Sequence, residues 1–159
     1  MTEKTGSMKI GCVEEIATVL ETRRDTCRQL LELSFAQREH IRAQDYGGLL
    51  LLLTEKQSVL SRHDALSQQF SNSSLQQWWA ESRDTLEPFW QQRCRSALQD
   101  TEQILGELLA HEQQCTDLLT HHRNATYDQL QEISQGNRVH DAYRDNLAPR
   151  THRHLNVDQ

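Results

Sequence analysis

Proline is almost absent from this 159-residue chain, which has two, and glycine is sparse, with six. Long stretches therefore lack the residues that break helices or favour turns. Aromatic residues make up 6% and apolar residues 36%, with a mean hydropathy of −0.78. That balance argues against a large compact enzyme core and for elongated helices with much solvated surface. No apolar run approaches the roughly 20 residues a membrane span needs. The opening Met1–Gly6 lacks the apolar core of a signal peptide. The four cysteines, Cys12, Cys27, Cys94 and Cys115, show no CxxC spacing. These features predict a soluble, cytoplasmic protein with reduced thiols. The net charge of −6 speaks against nucleic acid as partner. A modest basic cluster at the C-terminal end (Arg138, Arg144, Arg150 and Arg153) reads as a solvated tail.

What the chain has is leucine and glutamine, 22 and 18 of them, in amphipathic order. Residues 13, 20, 27, 34 and 41 are spaced by seven (Val13, Leu20, Cys27, Ser34, Ile41), and apolar residues fall between them. This is a heptad seam weakened by Arg23, Arg24 and Arg38, and it predicts a helix over 10–44. Asp45 can accept from orphan backbone N–H groups, and Gly47-Gly48 loosens the chain into a tight reversal. A second helix follows over 46–70. Its five consecutive leucines, Leu49–Leu53, cover more than one turn and predict burial on several sides. A buried strand competes for so short a run, but the helical stripe continues to Phe70.

Residues 71–88 read as a connector with a cap signal (Ser71 to Ser74) and the pair Trp78-Trp79, one indole inward and one at a boundary. Pro88 suits the first turn of a third helix over 89–134, closed by Gly136. Residues 1–9 read as a flexible N-terminus and 137–159 as a mobile tail. The expected fold is all-α: a single domain forming an elongated antiparallel three-helix bundle or coiled-coil hairpin, with one long C-terminal helix and an irregular tail. A third helix of that length spans roughly 65 Å at 1.5 Å per residue. This exceeds what the first two helices can cover, so its distal part should overhang or bind something.

Signatures of catalysis are missing from the sequence. It holds no G-x-S-x-G, P-loop or Rossmann glycine pattern. A di-iron bundle site needs paired Glu-x-x-His motifs, and none occurs. Glu107 and His111 are one turn apart and read as a solvated contact, while His121-His122 lack companion ligands. No enzyme activity, metal or cofactor is expected. A leucine stripe is ordinarily core. On the overhang, however, Leu108, Leu118, Leu119, Leu130 and Ile133 form a candidate client-binding groove for an amphipathic segment.

Three segments carry a family resemblance. Ala43-Gln44-Asp45, a leucine-rich turn and Thr54–Leu60 form the first, and Leu105–Leu109 through Leu119 the second. The third comprises Ala142–Asn146, similar to a Tyr-Gly-x-Asp-Gly motif, and Leu155-Asn156-Val157. Over about residues 10–157 the chain resembles the FlgN family of flagellar type III export chaperones. It departs from that pattern at His111–Gln114, where the family has Asn-x-x-Asn, at Arg144 and Asn146 in place of tail glycines, and at 71–88. The resemblance implies a cytoplasmic chaperone that binds amphipathic C-terminal segments of hook–filament junction proteins and delivers them to the export gate or export ATPase. It implies that Tyr143 contacts the gate. The rivals are a FliT-like secretion adaptor and a structural coiled coil that pairs as a homodimer.

Overall fold

The computed structural model describes residues 13–147. The expected flexible N-terminus at 1–9, Cys12 and the distal tail with Leu155–Val157 lie outside the described residues. Among the described residues there are four helices and no strand: α1 Val13–Arg42, α2 Tyr46–Gln69, α3 Asn72–Ser82 and α4 Pro88–Leu147. The all-α expectation is met, with one helix more than the sequence suggested.

The heptad seam of α1 is the buried one. Leu20, Cys27, Ser34 and Ile41 are buried along it, and Ile16, Ala17, Leu30, Leu31 and Gln37 fill the intervening positions. Side chains three and four apart share a helix face, so this spacing buries one continuous stripe. α1 ends in a Schellman-type turn: Asp45 N donates to His40 O at 2.9 Å and Gln44 N to Ile41 O at 3.1 Å. The left-handed residue of that turn is Gln44, at φ 54°, and no described glycine has positive φ. The reversal therefore does not depend on the freedom of Gly47-Gly48. Gly48 is favoured for a different reason. A Cβ there would lie 2.3 Å from Asp45 Oδ2 and 2.6 Å from the His40 ring. Asp45 caps α2, its Oδ1 accepting from Gly48 N at 3.0 Å. That bond, and the one with His40, hold the Asp45 carboxyl below the usual carboxylate range.

The leucine run is not buried on several sides. Leu49 and Leu52 face inward with Lys56 and Val59, whereas Leu50 and Leu51 are 67% and 77% exposed. Among the described residues α1 is the helix that packs along this part of α2, so one face is occupied. The connector expected at 71–88 contains α3. Ser71 caps it by accepting from Ser74 N at 3.2 Å. Its Leu75 is buried with Ile16, Ala17, Leu20, Cys94 and Ala97, and both Trp78 and Trp79 pack half-buried against that cluster.

Glu87 O accepts from Gln91 N at 2.9 Å, and Pro88 opens α4, where its missing N–H is no loss. Gly136 does not end the helix, which runs eleven residues further than the expected tail boundary allowed. Without a left-handed backbone a glycine does not stop a helix; it weakens it by about 1 kcal/mol relative to alanine. The i,i+3 pair Arg144–Asp141 at 3.1 Å supports the continuation.

The chain forms two compact units, divided between Leu118 and Leu119. In the first, α4 runs parallel to α1. Arg93 forks onto Glu21, with Nε to Oε1 at 2.5 Å and Nη2 to Oε2 at 3.0 Å; Ile104 packs with Cys27 and Leu31; Cys115 Sγ lies 3.9 Å from Ser34 O. α2 runs antiparallel to both, placing Lys56 beside Ser34 and Gln37, and Arg62 near Gln29. Each buried Leu or Ile contributes about 1.5–3 kcal/mol. The second unit is the continuation of α4 from Leu119 onward.

Candidate functional site: an uncovered helix face

Within the second unit the side chains of α4 are largely in solvent. Leu119 is half-buried, and Leu130 and Ile133 are each 60% exposed. At about 100° per residue these three lie within about 60° of one another around the helix. They form an apolar line on an otherwise polar surface. Tyr127 is exposed beside it, whereas Val139, also exposed, lies on the far side of the helix. Tyr143 is 66% exposed and lies one turn from Val139 and from Leu147, about 80° round from Ile133. It thus begins a separate stripe near the end of α4.

The other two expected groove residues belong elsewhere. Leu108 packs against the Cys27–Leu31–Ile104 cluster and so contributes to the core of the first unit. Leu118 is half-buried at the end of that unit. The five candidates therefore separate into Leu119, Leu130 and Ile133, which share a face, and Leu108 and Leu118, which lie in the first unit.

No protein-family model, no curated protein and no solved structure matches this chain. The arrangement of its own residues is thus what bears on function.

A polar layer inside the first unit was not anticipated from sequence. Lys56 is buried and bonds to Glu112 of α4, donating also to Gln37 Oε1 at 2.8 Å and Ser34 Oγ at 3.2 Å. Ser34 Oγ donates to Glu112 Oε1 at 2.5 Å. Burial opposes ionisation of Glu112, but bonds from Lys56 and Ser34 outweigh it and hold the carboxyl below its ordinary range. The signal was present: Ser34, Gln37 and Lys56 each occupy a seam position of their own helix. Sliding α2 along α4 would separate the two charges, and sliding α1 would remove the hydrogen bonds of Ser34 and Gln37 to them.

The three described thiols are buried, and burial pushes Cys27, Cys94 and Cys115 above the usual thiol range. They act as small core hydrophobes. His111 packs edge-on against Phe35, with ring centroids 4.2 Å apart, and the His121 and His122 rings meet edge-to-face with centroids 6.1 Å apart. Among the described residues no group of three or more His, Cys, Asp or Glu is placed to hold a metal. Nor is any described helix long and apolar enough to cross a membrane.

Proposed function

We propose that this chain is a helical export chaperone that works without covalent chemistry, capturing an amphipathic segment of its client along the outer face of distal α4. The observation that carries this reading is the exposure of Leu130 and Ile133 on the same face as Leu119. A client helix docks on such a line through anchors one turn apart. Its disordered terminus orders on binding, which offsets part of the gain from burial and keeps release feasible. The resemblance of Thr54–Leu60, Leu105–Leu119 and Ala142–Asn146 to the FlgN family supplies the finer assignment. The clients are then hook–filament junction proteins, the compartment is the cytoplasm, and exposed Tyr143 meets the export gate or export ATPase.

A second reading has the same face pair with a second copy, as a structural coiled coil. Co-purification of the tagged protein from its motile host, with mass spectrometry of bound proteins, distinguishes the two. Recovery of junction proteins, lost on Leu119→Asp and Ile133→Asp with helix content unchanged, supports the chaperone. A dimer that carries no flagellar client and dissociates on the same substitutions supports the coiled coil.

A further inference from the structure

The first unit contains an open cleft of about 570 Å³ lined by α1, α3 and the early part of α4. This volume falls in the ordinary range of ligand sites, about 300–1,000 Å³. Its lining combines the apolar Leu20, Trp79, Leu98 and Leu105 with three arginines, Arg23, Arg83 and Arg95. Among the described residues none of these three arginines pairs with a carboxylate, although six other cationic side chains and one histidine do. Arg23 Nη2 donates to Asn72 Oδ1 at 3.2 Å, but its Nε is buried with no acceptor. A buried donor left unsatisfied is costly, and a planar guanidinium matches a carboxylate in two-pronged geometry. The lining holds one acid, Glu102, so three positive groups face one negative in a chain whose net charge is −6.

We propose that this cleft binds an acidic-apolar peptide segment of a partner protein, carboxylates on Arg23, Arg83 and Arg95 and an apolar side chain against Trp79. Glu102 disfavours a compact polyanion such as phosphate, and the Trp79 indole would go unused by any bare anion. Every lining residue lies between Leu20 and Leu105, so the site is independent of the distal face of α4.

The test titrates acetyl-Glu-Leu-Glu-Phe-Glu-amide into the full chain and follows the Trp79 indole N–H resonance, assigned with Trp79→Phe. Saturable binding is expected, weakened on the order of tenfold by Arg83→Gln together with Arg95→Gln and further by salt. Both side chains are exposed, so this variant keeps its helix content and melting temperature. Leu130→Asp with Ile133→Asp should leave the affinity unchanged. The proposal is overturned if no saturable shift appears up to millimolar peptide, if the Gln isostere of the peptide binds equally well, or if the arginine variant binds as wild type does. Displacement by inorganic phosphate at concentrations below the peptide's own would make the cleft a simple anion site and overturn the peptide assignment.

Discussion

Lys56 and Glu112 meet inside the first unit as an ion pair between α2 and α4, flanked by Ser34 and Gln37 of α1. The three long helices α1, α2 and α4 thus each contribute to one polar layer. Glu112→Ala leaves the buried ammonium with only neutral partners. Removing one member of a buried pair costs about 3–5 kcal/mol. The Glu112 side chain is 35% exposed, so solvent screening reduces the expected loss to about 1–3 kcal/mol. Replacing both charges, as Lys56→Met with Glu112→Met, should restore most of it. Urea unfolding of the wild type, Lys56→Met, Glu112→Met and the double variant forms the cycle, and strictly additive losses would contradict coupling between the two groups.

The same layer sets an acid response. Because the folded carboxyl of Glu112 titrates below its unfolded counterpart, its contribution is fully present above the ordinary carboxylate range and is lost as pH falls through the depressed value. Stability should therefore decline below about pH 4.3, and less steeply in Glu112→Gln. Urea midpoints measured from pH 7 to pH 3 supply the comparison. Parallel curves for the two proteins would mean that other carboxylates carry the acid sensitivity.

Cys27, Cys94 and Cys115 should resist alkylation in the folded protein. The thiolate is the reactive form, and burial both disfavours it and blocks access. Iodoacetamide labelling followed by peptide mass spectrometry should find these three unmodified in buffer and all modified in urea. Modification of Cys94 at the rate of a free thiol would mean that the α1–α3–α4 core opens readily.

The seam of α1 was legible in sequence because it carries one stripe with polar residues around the rest, so period and burial coincide. Five adjacent leucines in α2 erase that contrast: every face looks apolar, and which two turn inward is decided by where α1 lies. Eleven-residue α3 is too short to be marked by period alone, and packing of Leu75 and the two tryptophans holds it. Gly136 read as a helix end because glycine often serves there, yet only a left-handed backbone makes it one. On distal α4 the line of Leu119, Leu130 and Ile133 followed from spacing. The Arg23–Arg83–Arg95 grouping did not, since α1, the turn after α3 and α4 bring it together only in the fold.

Gln44 is the one described non-glycine residue with positive φ. A side chain in the left-handed region costs roughly 1–2 kcal/mol, while glycine adds about 0.5–1 kcal/mol of chain entropy. Gln44→Gly should accordingly stabilise the protein by about 0.5–1 kcal/mol, read as a higher urea midpoint at unchanged slope. A lower midpoint would place the cost of this turn elsewhere.

The leucine run offers a sharper contrast within a single helix turn. Leu52 is 8% exposed and faces Lys56 and Val59 along the inner stripe, so Leu52→Ala removes buried methyls and leaves a void. Such a change costs about 2–5 kcal/mol. Its neighbour Leu51 points into solvent, where Leu51→Ala should shift stability by no more than about 0.5 kcal/mol. Helix propensity cannot produce the difference, because both positions undergo the same substitution in the same helix. Thermal and urea unfolding of the two variants side by side isolates burial as the cause. Equal losses at both positions would mean that the outer leucines are covered in solution, as pairing of that face with a second chain would require.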